Sequence, residues 1–205
     1  MMKTYLLLPI LLLGLAAASC QHPQGKLPIL GEKDIVDGDT IYHKVPDFSF
    51  VNQDSQVVTN ATLADKIYVA DFFFTSCPTI CPKVKRQMLR LYERYQSEDR
   101  LVLLSHSIDV RRDTVGRLRE YASGLGVSAP KWHLVTGDRA AIYDIADDYF
   151  SVAIEDATAP GGFDHSGRLI LVDTKRHVRS FCDGTDPKSV DQFMKDIDRL
   201  LEEFQ

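Results

Sequence analysis

The chain reads as an α/β protein in which a mixed β-sheet carries helices on both faces. Three observations predict this. From about residue 48 onward, strand-like and helix-like hydrophobic periodicities alternate. Two runs, Ile67 to Phe74 and Leu101 to Ile108, are almost continuously apolar, as strands buried on both faces are. The chain then closes with two strands around a tight polar turn and an amphipathic helix.

The elements follow in order. Phe48 to Val51 and Gln56 to Thr59 flank the turn-forming Asn52-Gln53-Asp54-Ser55 and predict an N-terminal hairpin. Ile67 to Phe74 is the first buried strand. Pro82 to Gln96 predicts a helix with Val84, Met88, Leu91, Tyr92 and Tyr95 on its inner face. Leu101 to Ile108 is the second buried strand. Asp113 or Thr114 can cap a helix that turns Val115, Leu118, Tyr121 and Ala122 inward. Trp132 to Val135 is a short strand, and Asp138 to Asp148 a helix with Ile142, Ile145 and Ala146 inward. Arg168 to Val172 and Val178 to Phe181 join through Asp173-Thr174-Lys175-Arg176. Pro187 suits the first position of the last helix, whose stripe is Val190, Phe193, Met194, Ile197, Leu200, Leu201 and Phe204. A parallel core with a final antiparallel hairpin is the thioredoxin-like arrangement.

Ahead of this domain, assigned to residues 46–205, lie two further segments. Lys3 followed by the apolar run Leu6 to Ala18 reads as an export signal. The run is too short for a bilayer span, which needs roughly 20 residues. Ala17-Ala18-Ser19 directly before Cys20 resembles a lipobox, so residues 1–19 are expected to be removed and Cys20 to carry lipid. Residues 20–45 are polar and lack periodicity, and are expected to be a linker. The expected location is therefore outside the cytoplasm of a bacterium, anchored to a membrane without spanning it. Of 205 residues 44% are hydrophobic and 26% charged, with a net charge of −5, which excludes a disordered or multi-pass membrane chain and argues against a nucleic-acid partner.

The chemistry concentrates in Ala70-Asp71-Phe72-Phe73-Phe74-Thr75-Ser76-Cys77-Pro78-Thr79-Ile80-Cys81-Pro82. A buried strand ends, two cysteines follow at i and i+4, and a helix starts. Ligands bind at the carboxyl ends of strands in open α/β sheets, which makes this a candidate site. The spacing is expected to set both sulfurs on one face of a first helical turn. A helix N-terminus favours thiolate, and thiolates are both nucleophiles and ligands for soft metals. Without that setting, two cysteines at this spacing read equally as a structural disulfide or two packed thiols. Six histidines are candidate third donors. His165 lies in a glycine-containing loop before the Arg168 strand; His22 and His43 belong to the linker and its margin; His106, His133 and His177 read as strand or turn residues.

Three blocks resemble the Sco/SenC family of thioredoxin-like, copper-binding proteins that assist cytochrome c oxidase assembly. They are Phe74-Thr75-Ser76-Cys77-Pro78-Thr79-Ile80-Cys81-Pro82, Ser107-Ile108-Asp109-Val110-Arg111-Arg112-Asp113-Thr114, and Asp164-His165-Ser166 leading into Leu169 to Asp173. The resemblance runs from about Pro46 to the C-terminus. It implies copper, as Cu(I) or Cu(II), held by Cys77, Cys81 and His165. Because the same two thiols are ligands and a redox pair, a reversible Cys77–Cys81 disulfide is expected to release the metal. Asp109 and Arg112 are expected to brace the site or its loop rather than touch copper, with Asp164 supporting it. The implied partners are a copper-receiving oxidase subunit or another copper chaperone, and a thiol–disulfide reductant. Val110 stands where the family usually has proline, and Thr79 where an acid is common.

Asp71 supports a competing reading. Thioredoxins carry an aspartate at this offset before their first cysteine, and a buried carboxyl of raised pKa can accept a proton from a thiol. On that reading the protein is a membrane-anchored thiol–disulfide oxidoreductase acting on cysteines of an oxidase copper site or of other exported proteins. The C-x-x-x-C spacing, and Asp164-His165 where a thioredoxin has its cis-proline, weigh against it. A peroxidase of the peroxiredoxin kind would need a threonine and an arginine framing its nucleophile, a pattern absent here. Cys182 reads as a packed small hydrophobe, or else as a reactive or cross-linking thiol.

Overall fold

A computed structural model describes residues 25–204. The expected signal 1–19, Cys20 and His22 lie outside the described residues. The elements run β1 (Lys33–Val36), β2 (Asp39–Tyr42), β3 (Ser49–Asn52), β4 (Val57–Thr59), β5 (Ile67–Phe73), α1 (Cys81–Arg94), β6 (Leu101–Ser107) and α2 (Val115–Leu125). They continue with β7 (Trp132–Thr136), α3 (Arg139–Asp148), β8 (Ala153–Glu155), a 3₁₀ turn (Pro160–Gly162), β9 (Phe163–His165), β10 (Arg168–Val172), β11 (Val178–Asp183) and α4 (Pro187–Glu203).

Seven strands form one sheet in the order β11-β10-β5-β6-β7-β3-β4. β5, β6 and β7 are parallel, and every other neighbour pair is antiparallel. This is the mixed, thioredoxin-like sheet the periodicities predict, with the hairpin β3–β4 at one edge. All seven residues of β5 and of β6 are buried, as their apolar runs require. On one face Phe73 stacks on Tyr121 of α2. Arg90 of α1 and Asp191 of α4 are joined by an ion pair, and Tyr95, just past α1, donates to the Met194 carbonyl. On the other face Tyr149, at the end of α3, packs edge-on to Phe72 and meets the hydroxyl of Tyr68 at 3.0 Å.

Two features depart from the sequence-based expectation. The described part of the segment read as a linker is structured: it contains the β1–β2 hairpin, and Leu27 and Val45 are buried. Leu30 donates its N–H to the Val178 carbonyl at 2.8 Å, and Val45 donates to that of Arg176 at 3.0 Å. Backbone bonding, which leaves no hydrophobic period, ties this segment down. The second departure is the three-residue pair β8–β9, with Ala153 opposite His165. Three-residue strands are too short for alternation to show.

The register explains the site's location. Antiparallel β10 sets Ile170 against Ala70 and Val172 against Tyr68. Chain preceding β10 therefore returns to the carboxyl end of β5, where the cysteines follow. His165 is delivered there.

Candidate metal centre

β5 ends in Phe73, and residues 74–80 form a turn before α1. The Cys77 N–H bonds the Phe74 carbonyl at 3.2 Å. Helix α1 begins only at Cys81, with Ile80 at the position before it making no capping side-chain bond and a proline in its first turn. The expectation of both sulfurs on one helical turn is thus corrected: Cys77 precedes the helix, and the turn folds it back toward Cys81. All three residues, Cys77, Cys81 and His165, are buried, and their donor atoms lie within 4.8 Å of one another. His165 Nε2 is 3.1 Å from Cys81 Sγ and 3.9 Å from Cys77 Sγ. Both cysteines are free thiols.

The second wall is aromatic. Phe74 packs on Phe163 and meets His165 edge-on, with ring centroids 4.9 and 5.3 Å away. Gly161 closes this wall. A Cβ there would lie 2.8 Å from the Phe74 ring and 3.2 Å from Pro78, and its φ of 83° is one that glycine accommodates.

The two thiols are electrostatically unlike. Burial pushes the Cys77 thiol up. Hydrogen bonds from the backbone and side chains of Cys81 and Thr79 outweigh that and hold it below its ordinary value. Burial drives the Cys81 thiol far above the thiol range, and the neighbouring Cys77 sulfur adds to the effect. The favourable helix N-terminus thus serves Cys77, outside the helix, rather than Cys81. Burial lowers the His165 pKa against the opposing charge of Asp164, so the imidazole is neutral at physiological pH and able to coordinate.

Asp71 is fully buried, and burial raises its pKa to about 7 despite a hydrogen bond from Ser105. The Trp132 indole N–H donates to Ser105 Oγ at 2.8 Å, and the Ser105 hydroxyl donates to Asp71 Oδ1. Asp71, Ser105 and Cys81 line one cavity of about 10 Å³ beneath Lys85 and Tyr121, room for one water-sized group. Ser105 carries no motif and shows itself only through the pairing of Asp71 with Ser105 in the β5–β6 register.

The loop after β6 is held as expected, and a further brace joins it. Asp109 and Arg112 pair with each other at 3.1 Å and hold their own turn. Asp164 is exposed and acts on His165 through charge. The brace of the cysteine turn is Asp113. It accepts from Thr75 N–H at 2.9 Å, from the Thr75 hydroxyl at 2.6 Å and from the Ser107 hydroxyl at 2.6 Å. Thr114, not Asp113, caps α2 by accepting from the Arg117 N–H. A sequence pattern shows Asp113 as a cap candidate; only the fold shows it bridging β6 to the site. Cys182 is buried in β11 opposite Leu169, with its thiol pushed up to about 12 by burial. That environment is inert. His43, His106, His133 and His177 all lie outside the donor cluster.

Fold and site together define a thioredoxin-like protein with a dithiol–imidazole centre. A family model described as SCO1/SenC matches residues 37–202, and the chain belongs to that family. It is 27% identical over 161 residues to the SCO1 protein homolog of Bacillus subtilis, covering 78% of this chain and 83% of that one. The solved structure of a SCO1/SenC family lipoprotein from Bacillus anthracis superposes with a TM-score of 0.69 at 25% identity, over 77% of this chain and 95% of that one. BsSco, a Sco family cytochrome c oxidase assembly protein in which a disulfide switch was identified, superposes at 0.64 with 26% identity, over 77% and 93%.

Proposed function

We propose that this protein is a copper carrier that serves maturation of an oxidase copper site. The observation that carries the reading is the convergence of Cys77, Cys81 and His165 within 4.8 Å. Thiolate and imidazole bonds to a first-row ion run about 2.3 and 2.0 Å, so a trigonal ion would hold its donors roughly 3.7–4.0 Å apart. The Cys77–His165 separation of 3.9 Å already fits, and the Cys81–His165 separation of 3.1 Å needs only to open slightly. Two soft thiolates with one imidazole suit Cu(I), and the added nitrogen lets the set hold Cu(II). Copper is the cargo. Oxidation of the two thiols to a disulfide would remove both sulfur donors and release it.

The protein is further proposed to be exported and lipid-anchored through Cys20, with the domain outside the cytoplasm. The lipobox-like Ala17-Ala18-Ser19-Cys20 and the short apolar run before it support this. An oxidase subunit or another copper chaperone would receive the metal, and a thiol reductant would restore the dithiol.

One observation favours a second reading. Asp71, with a pKa near 7, shares a cavity with Cys81, whose thiol must lose its proton to act. A thiol–disulfide oxidoreductase would use that proton transfer.

Copper titration of the reduced protein beside His165→Ala and Asp71→Asn separates the two. A carrier binds one copper tightly, and His165→Ala weakens binding or changes the Cu(II) spectrum while its cysteine pair still oxidises and reduces. Identical copper behaviour in wild type and His165→Ala, with exchange activity lost in Asp71→Asn, would replace the carrier with the oxidoreductase.

A further inference from the structure

The chain is acidic overall, with a net charge of −5, yet the ground around the dithiol is not. The turn between Cys77 and Cys81 holds no charged residue. Helix α1 then opens with Lys83, Lys85 and Arg86, and its first acid is Glu93. Lys85 lines the cavity at Cys81. Arg117 donates from Nε to the Thr75 hydroxyl at 3.2 Å. Arg111, Arg112 and Arg139 line a cleft of about 500 Å³ with Glu155 and Gly161 to Phe163. That cleft shares a wall with the site: Gly161 stands against Pro78 and Phe74, and the Phe163 ring packs on Phe74.

The nearby acids are largely committed. Asp109 is buried against Arg112. Asp113 is buried and accepts from Thr75 and Ser107. Glu155 is held by Arg139 at 2.8 Å and Glu120 lies 3.6 Å from Arg117. Among the described residues, the exposed acids near the site without an ion-pair partner, Asp164, Asp183 and Asp186, lie on its β9–β11 side, whereas Lys83, Lys85 and Arg86 belong to α1 and Arg111 follows β6. Among the described residues Lys83, Arg86 and Arg111 have no ion-pair partner. Farther along α3 the charge reverses, with Asp144, Asp147 and Asp148 and no cation after Arg139.

We propose that this cationic rim docks an acidic protein surface, one whose own cysteines exchange copper or electrons with Cys77 and Cys81. The inference rests on the reading of those two residues as an exchange centre. Complementary charge at the mouth of a site raises the encounter rate and orients the partner, and salt removes the effect. The screening length is about 8 Å at physiological ionic strength, so cations close to the sulfurs matter most. Lys85 shares the cavity with Cys81, Lys83 stands two residues beyond it, and Arg111 lines the cleft behind Gly161.

Disulfide-closed peptides of one sequence, flanked by four Glu, four Gln or four Lys residues, test this. In each reaction the Cys77 thiolate attacks one peptide sulfur, and the other leaves as thiolate and takes a proton. Cys81 then displaces the second peptide thiol. The peptide gains two electrons and two protons, and the protein dithiol becomes a disulfide. At low salt the Glu-flanked peptide is expected to react about tenfold faster than the Lys-flanked one, with the ratio falling toward about one at high salt. In Lys83→Glu/Arg111→Glu the ratio is expected to fall about threefold or more, while the Gln-flanked rate stays within about twofold. The flanks alter the peptides' own thiols equally for both proteins, so the change in ratio reports the rim. A ratio at or below one, a ratio indifferent to salt, or a ratio unchanged in the variant overturns the proposal. Should none of the peptides react, the exchange centre itself fails, which a charge-specific failure would not show.

Discussion

The two ends of strand β10 both gather buried polar groups and finish them in opposite ways. Beyond its far end, Arg179 is saturated. Its guanidinium donates to Asp173 at 3.0 Å, to Glu203 at 2.7 Å, to the Pro28 carbonyl at 3.1 Å and to the Leu27 carbonyl. Asp173 also accepts from the backbone of Lys175 and His177, at 2.9 Å each. At the near end Cys77, Cys81 and His165 have little but one another. The satisfied cluster locks the N-terminal segment to α4 and β11. The near-end cluster holds two thiols and an imidazole, groups that can give up a proton or a lone pair to an incoming ion. Burial alone does not mark function; burial of groups with that chemistry does.

The largest expected effect tests that contrast directly. Arg179→Met leaves the buried Asp173 and the half-buried Glu203 without their cation, and is expected to cost about 3–5 kcal/mol in urea unfolding. Cys77→Ser and Cys81→Ser are expected to cost no more than about 1 kcal/mol each, since they remove no packed bulk or saturated bond. If Arg179→Met costs no more than the serine variants, the division between a structural end and a functional end is wrong.

A second comparison is between two neighbours in the sheet. His106 is fully buried against Phe72, and burial presses its pKa from 6.5 down to about 4. Asp71 is raised from 3.8 to about 7. Between about pH 4 and 6.5 the unfolded chain protonates His106 while the fold does not, so this group makes stability rise with pH. Over nearly the same window the fold keeps a proton on Asp71 that the unfolded chain has lost, so this group makes stability fall with pH. Each slope is about 1.4 kcal/mol per pH unit, and the two nearly cancel. Asp71→Asn is therefore expected to lose about 3 kcal/mol between pH 6.5 and 4, and His106→Phe to lose a similar amount between pH 4 and 7. Denaturant melts across this range check both signs. Parallel pH profiles in the two variants would show that neither shift exists.

Much of this was legible in the sequence, for physical reasons that also explain the rest. β5 and β6 announce themselves because strands buried on both faces must be apolar throughout. The cysteine pair shows because a strand, a turn and a helix start frame it. His165 could be tied to it only through the Asp164-His165-Ser166 resemblance, since 84 residues separate it from Cys81 and only the β5–β10 register brings them together. Ser105 and Asp113 were invisible as site residues because their roles are set by neighbours across the sheet. The docking of residues 27–45 leaves no sequence signal, because it rests on backbone hydrogen bonds and on the Arg179 cluster, neither of which produces a hydrophobic period.

The smallest contrast lies within the dithiol. Cys77 is held below the ordinary thiol pKa by the amides and side chains of Thr79 and Cys81, while Cys81 is driven up by burial. With each cysteine alone, in Cys81→Ser and Cys77→Ser respectively, iodoacetamide labelling at neutral pH is expected to favour Cys77 by at least about tenfold, because one pKa unit is tenfold in thiolate. Thr79→Ala removes a hydroxyl 3.7 Å from the Cys77 sulfur and is expected to narrow the gap by a few-fold while leaving Cys81 unchanged. The order carries a mechanistic consequence. An incoming disulfide meets Cys77 first, and Cys81 attacks only once its proton has found an acceptor, with His165 at 3.1 Å and Asp71 across the shared cavity as the two candidates. Equal labelling rates would leave no basis for that order, and Cys81 would then be as fit as Cys77 to make the first attack.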